Sequence, residues 1–218
     1  MKILCIDTSS KLCGVGIFEN ENLIDKIELD NGLTHSETLM PILKELLAKN
    51  SLVLNEFGLI AVDIGPGSFT GIRIGVATAK AFSDSLSIPC VGIDSLEILA
   101  YQIKEPSIIC SAIDCKNDNC YFALYEFKNN EYTVLEAPSA KTKQEVSDLL
   151  NTKYHDNSIN FVGDAFSDKS SGNYLCVENM NLAAIKKFNK NNFCGEEILP
   201  LYLKKSQAER KLEEKGNS

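Results

Sequence analysis

The chain has no tryptophan and only two histidines, His35 and His155. Without a His-x-x-x-His or His-Glu-x-x-His pair, a dedicated histidine metal centre is excluded. His35 stands at a helix start beside Thr34, Ser36 and Glu37. A general base there is conceivable, but a hydrogen-bonded cap is the favoured role. No Cys-x-x-Cys pair occurs among the 8 cysteines. Cys110, Cys115 and Cys120 are evenly spaced but lack the tight pairing of a zinc site. Cys5, Cys13, Cys90, Cys110 and Cys120 lie in or beside apolar strand-like runs, where cysteine acts as a small hydrophobe. A reducing, cytoplasmic setting is therefore expected. No run approaches the roughly 20 apolar residues that a bilayer span requires, so neither export nor a membrane span is expected. A nucleophile elbow is missing too, because Gly65-Pro66-Gly67-Ser68 lacks the second flank of Gly-x-Ser-x-Gly.

Positive charge is also scarce, with 22 Lys and Arg against 30 Asp and Glu and a formal net charge of −8. A chain that gripped nucleic acid alone would carry a basic face to neutralise phosphates. If RNA is the final substrate, another chain holds most of it. Lys186, Lys187 and Lys190 form one local patch. Lys204, Lys205, Arg210 and Lys211 sit among Glu209, Glu213 and Glu214 and read as a solvated helix face.

What is present is an ordinary globular composition, 44% hydrophobic. Residues 3–8, 12–18 and 23–29 read as three successive strands. Thr34 and Glu37 then form a capping-box pattern before Leu39, Ile42, Leu43, Leu46 and Leu47 at helical spacing. Pro41 is expected to kink that helix or tighten its first turns. An apolar strand at 58–64 breaks at Gly65-Pro66-Gly67-Ser68-Phe69-Thr70-Gly71, and a helix follows from about Thr70 to Leu86. Gly75, Ala77, Thr78, Ala79 and Ala81 would let another helix approach it closely.

The second half repeats the first. Ile6-Asp7, five residues and Cys13 recur as Ile113-Asp114, five residues and Cys120, and the match continues through Gly16/Ala123, Ile17/Leu124, Phe18/Tyr125 and Glu19/Glu126. Two packed lobes, 1–104 and 105–203, are expected, with the tail helix 204–218 returning to the first. The second lobe should carry strands at 120–127, 132–136 and 159–162 and helices at 142–151 and 182–190.

The turn at Gly65, Gly67, Ser68, Thr70 and Gly71 fits two descriptions equally: a phosphate cradle at a helix N-terminus, or a plain strand-to-helix turn. It is neither a Walker loop nor a Rossmann fingerprint. Asp7 and Asp114, each ending a strand, could hold a hydrated Mg²⁺ or cap their own turns. Arg73 in the first helical turn is misplaced for the helix dipole, so an acidic partner is expected for it, internal or on another subunit.

Ile3 to Ser9, His35-Ser36-Glu37, the Gly65–Gly75 segment, Asp94-Ser95-Leu96-Glu97, Asp114 with Tyr121–Tyr125, and Pro200-Leu201-Tyr202-Leu203 resemble the TsaB (YeaZ) family, from residue 2 to about 206. The resemblance implies an α/β fold of two duplicated RNase H-like lobes of the actin/Hsp70/sugar-kinase (ASKHA) type. It also implies a non-catalytic subunit of the bacterial machine that adds threonylcarbamoyl to the tRNA adenosine 3′ of the anticodon. Such a subunit pairs with the catalytic paralogue TsaD, is joined by the ATPase TsaE, and meets tRNA only through the complex. The metal-binding histidines of TsaD fall near Ile93 and Glu97 here, so no catalytic residue and no metal are expected. No cofactor is required of this chain, ATP and Mg²⁺ belonging to the complex. Asp7, Gly65, Gly67, Ser68, Thr70 and Gly71 become a vestigial nucleotide site. His35, Leu39, Leu43, Arg73, Ile74, Thr78 and Ala81 become the partner interface, which could also form a homodimer when the chain is alone. The rivals are a small ATP-binding kinase or ATPase of the same fold and, less well supported, a peptidase.

Overall fold

In the computed structural model, residues 1–155, 158–170, 175–190 and 197–204 are described. Two sheets organise the chain. The first is built from β1 (Lys2–Asp7), β2 (Cys13–Glu19), β3 (Asn22–Leu29), β4 (Leu59–Asp63) and β5 (Cys90–Ile93), in the order β3-β2-β1-β4-β5. The first three run as an antiparallel meander, and β4 and β5 add in parallel. Parallel addition needs a crossover, supplied by α1 (His35–Lys49) and α2 (Phe69–Leu86). The second sheet holds β6 (Ser107–Asp114), β7 (Asn119–Lys128), β8 (Glu131–Thr142) and β9 (Ile159–Val162), in the order β8-β7-β6-β9. Its helix α4 (Lys143–Lys153) crosses between β8 and β9. The expected two-lobed ASKHA architecture is the observed one, the second sheet having the same order as the first without a fifth strand among the described residues.

A capping box opens the first helix of each lobe. Glu37 carboxylate accepts the Thr34 N–H at 3.1 Å, and Glu145 carboxylate accepts the Thr142 N–H at 2.7 Å. Pro41 does not break α1, which runs on to Lys49; the proline lies on the exposed side, where solvent can satisfy the freed carbonyl.

Helix exchange ties the lobes together. One face of the first sheet packs Leu4, Ile6 and Val62 against α1 and α2. Its other face packs Ile3, Cys5 and Ala61 against α5 (Val177–Lys190), a helix from the far end of the chain. Conversely α3 (Ser95–Ala100) places Leu96 and Leu99 on the second sheet, beside Ile109 and Val162. The division at 104/105 thus needs correction. α5 and Ile198, expected in the second lobe, belong to cores built on the first sheet, because that sheet has a second apolar face to cover. Helix α5 also starts earlier than the expected 182–190, and β8 runs well past 136. The expected tail helix, beyond Lys204, lies outside the described residues, as does Cys194.

Strand register refines the repeat. Asp7 pairs with Gly14, whereas Asp114 pairs with Cys120, so the two hairpins differ by one residue. Side chains alternate along a strand, and a one-residue slip moves a residue to the other face. Ile6 and Cys13 share one cluster, while their sequence counterparts Ile113 and Cys120 lie on opposite faces of the second sheet. The expectation that Asp7 and Asp114 occupy one place in both copies is therefore corrected. Asp7 shares a face with Ile3 and Cys5, and Asp114 shares one with Cys110 and Ala112, toward α4.

Candidate functional site

Three chain reversals meet where β1, β4 and β5 end. β1 delivers Asp7 and turns through Thr8 and Ser9, β4 delivers Asp63 and enters the glycine turn, and β5 leads to Ser95 at the start of α3. All five of these polar residues are buried. Buried polar groups must find partners, and these find one another. The Ser9 N–H and hydroxyl each lie 2.8 Å from Asp7 Oδ1, and the same hydroxyl is 2.8 Å from Asp63 Oδ2. The Ser95 hydroxyl sits 2.7 and 2.9 Å from the two oxygens of Asp63, and the Gly65 N–H donates to Asp63 Oδ1 at 2.7 Å.

A serine hydroxyl has one proton to give and cannot donate to two carboxylates. One of the acids must bring its own. Burial raises the proton affinity of both, and Asp63 rises well above the carboxylate range because the charge of Asp7 adds to burial. Hydrogen bonds from Ser9 partly offset burial at Asp7. The consistent assignment places the proton on Asp63. Its O–H donates to Ser9 Oγ, Ser9 donates to Asp7, and Ser95 donates to the free oxygen of Asp63. Every group is then used to fasten three loops.

The glycine turn is filled in the same way. A Cβ at Gly67 would run into the Ser9 carbonyl, one at Gly71 into the Thr8 carbonyl, and one at Gly75 into the Thr8 hydroxyl. Ser68 donates its N–H to the Ser9 carbonyl at 2.6 Å, and the Thr8 hydroxyl donates to the Gly71 carbonyl at 2.8 Å. Ser68 Oγ caps the Gly71 N–H at 3.2 Å. The ledge where a cradled phosphate would rest is occupied by Thr8 and Ser9, so the geometry favours the packed turn. Ser68 and Thr70 are exposed. His35 joins the same fastening. Its Nε2 lies 2.8 Å from the Ser10 carbonyl, which only accepts, so Nε2 carries the hydrogen.

Asp114 is placed differently. It is exposed, forms an ion pair with Lys143 at 2.9 Å, and accepts the Lys116 N–H at 3.2 Å. Lys143 holds its carboxyl below the usual range. Among the described residues no group of three or more His, Cys, Asp or Glu side chains is arranged to hold a metal ion.

The expected interface residues divide. Leu39 and Leu43 are 1% exposed and lie in the core between α1 and the first sheet, so they cannot meet a partner; the apolar face of α1 is used within its own lobe. Arg73 and Ala81 are exposed, Ile74 and Thr78 half-buried, and Ala77 joins them on the outer side of α2. No carboxylate pairs with Arg73 among the described residues; its guanidinium stands 6.0 Å from the Phe69 ring centroid, and Phe69 stacks on Tyr202 at 4.2 Å. The internal partner weighed for Arg73 is thus an aromatic ring rather than an acid. Sequence reading missed Ser9, Asp63 and Ser95. A signal existed for Asp63, which closes an apolar strand just as Asp7 does.

Known proteins can now be set beside this geometry. The family model described as "TsaD: tRNA N6-adenosine threonylcarbamoyltransferase" matches residues 32–194. The Haemophilus influenzae protein named tRNA threonylcarbamoyladenosine biosynthesis protein TsaB is 25% identical over 235 residues, covering 97% of each chain. The Bacillus subtilis protein of the same name is 35% identical over 130 residues, 59% of this chain and 57% of that one. Among solved structures, YeaZ from Pseudomonas aeruginosa superposes with a TM-score of 0.75 at 20% identity, covering 93% of this chain and 99% of that one. The likeness to YeaZ shows the fold.

Proposed function

Because this chain belongs to the family that the TsaD model describes, and within it to the TsaB (YeaZ) proteins, we propose that it serves tRNA threonylcarbamoyladenosine biosynthesis as a non-catalytic subunit. The observation that carries this reading is the closed acid network. Asp7, Asp63, Ser9 and Ser95 spend their hydrogen bonds on one another and on Gly65, and Thr8 and Ser9 fill the glycine turn. What remains exposed on α1 and α2 is the outer side of α2, with Ala77 and Ala81 flanked by Arg73, Ile74 and Thr78, and, on α1, Met40 and Pro41. Small side chains let helices approach closely, and Met40 offers an adaptable apolar contact. These two helices dock on TsaD, stabilise its competent state and help create the surface that recruits TsaE. The same face pairs two copies of this chain when TsaD is absent.

The test is reconstitution. The chain alone should transfer no threonylcarbamoyl to tRNA, and adding it to TsaD, TsaE and the donor should restore transfer. Ala81→Glu, which puts a charge on the exposed face without touching the core, should abolish co-elution with TsaD and lower transfer together. Turnover by the isolated chain would overturn the reading. So would ATP binding by the isolated chain that is lost in Asp7→Asn, which would favour the small-kinase alternative.

A further inference from the structure

A cavity of about 410 Å³ opens on the other side of the molecule, at the seam between the lobes, where α3, the β7–β8 turn and the end of α5 meet. Its walls include Glu97, Tyr101, Tyr132, Lys186, Lys187 and Lys190. The seam is built by local geometry. Asn129 and Asn130 both take positive φ, as a two-residue hairpin turn requires, and so turn the Asn130 carbonyl toward α5. Lys186 Nζ donates to it at 2.8 Å and stands 5.7 and 5.2 Å from the centroids of Tyr101 and Tyr132, which stack at 4.0 Å. An ammonium has three N–H donors, and the Asn130 carbonyl takes one.

Lysines at a helix C-terminus ordinarily offset its negative end, and that accounts for part of Lys187 and Lys190. It does not account for Lys186, which reaches across the seam to the Asn130 carbonyl, nor for Glu97. That carboxylate accepts no hydrogen bond from the described residues, and burial with the neighbouring charge of Asp94 pushes its proton affinity up to about 7, against Lys187 and Lys190. Near neutral pH it changes from an anion that repels other anions to an O–H that can donate to one. With three cationic side chains against Glu97 and Glu131, the lining carries net positive charge in a chain whose formal charge is −8. A volume of this order suits a mononucleotide-sized molecule.

We propose that this cavity binds a small organic phosphate, with the phosphoryl oxygens on Lys186 and Lys190 and the body of the ligand along the tyrosine pair. The inference does not depend on the reading of the acid network. Adenosine monophosphate titrated into the full chain by calorimetry should bind saturably. Lys190→Ala, an exposed change, should weaken it about tenfold, the scale of one hydrogen bond to a charged group. Asp7→Asn should leave it unchanged. The acid is tested with inorganic sulfate, whose charge is constant over the range: affinity should fall as pH rises from 6 to 8, and Glu97→Gln should bind more tightly and remove that slope. Absent saturable binding to the wild-type chain, equal affinity in Lys190→Ala, loss in Asp7→Asn, or a pH slope that survives Glu97→Gln would each overturn the proposal.

Discussion

The two lobes open alike and finish differently, and their acids show why. Each begins with a hairpin and a third strand, then a Thr-x-x-Glu box and a helix, then a parallel strand. In the first, Asp7 ends β1 buried and meets Asp63 through Ser9. In the second, Asp114 ends β6 one step out of register, exposed beside Lys143. A single residue of slip separates a buried network that shares a proton from a surface ion pair. The first lobe has the loops that end β1, β4 and β5 fastened to one another. The second fastens little through its acid.

The largest test of that contrast is backbone packing in the first lobe. Gly71→Ala puts a methyl into the Thr8 carbonyl, which is main chain and cannot swing aside. Urea unfolding should show a loss of about 3 kcal/mol or more, and binding to TsaD should fall because α2 must move. Gly32→Ala is the control. Gly32 has φ 72° with open space around it, so it should cost about 1 kcal/mol and leave binding intact. Equal effects at the two positions would mean that the close approach at Gly71 is not what holds α2.

Next in size is Asp63. Asp63→Ala leaves Ser9, Ser95 and the Gly65 N–H without their common partner, and about 3 kcal/mol of stability should be lost. Asp63→Asn mimics the protonated acid, its amide donating to Ser9 and its oxygen accepting from Gly65. It should stay within about 1 kcal/mol of wild type near pH 4 and become the more stable of the two as pH rises, because wild type must hold a proton that the unfolded chain releases. A difference between Asn and wild type that does not change with pH would mean that the proton assignment is wrong.

The two lobes should also respond to pH with opposite sign. Asp63 has a raised folded-state proton affinity, so its contribution is fully present below the unfolded-state carboxylate range near 4 and is lost as pH rises through the folded value. Asp114 is lowered by Lys143; its contribution is present above that range and is lost as pH falls through the folded value. Stability profiles from pH 3 to 9 should therefore flatten on the alkaline side in Asp63→Asn and on the acid side in Asp114→Asn. Both variants flattening the same side would break the contrast.

Much of the fold was legible in the sequence, because hydrophobic period and capping chemistry are local. The meander, α1 from Thr34 and Glu37, and the break after β4 follow from residues within a few positions. The second capping box, Thr142 with Glu145, was equally readable and strengthens the repeat. Register was not, since Ile6-Asp7 and Ile113-Asp114 align in sequence whichever face they take. The acid network was half visible. Asp7 stood out at a strand end, but its union with Asp63 and Ser95 depends on how three strands terminate side by side. Leu39 and Leu43 show the converse limit: an apolar stripe says that a helix is covered, without saying whether its own sheet or a partner covers it.

The smallest expected effect closes the comparison. The Asp114 and Lys143 side chains are 36% and 31% exposed, so water already solvates both charges and holding the pair costs side-chain entropy. A double-mutant cycle of Asp114→Ala with Lys143→Met should give a coupling of about 0.5 kcal/mol, shrinking further in high salt. A cycle of Asp63→Ala with Ser95→Ala should give several times that, and resist salt, because neither group reaches solvent. If the two couplings came out equal, burial would not be what distinguishes the lobes, and the closed network would lose its claim to rigidify the loops that lead into α2 and α3.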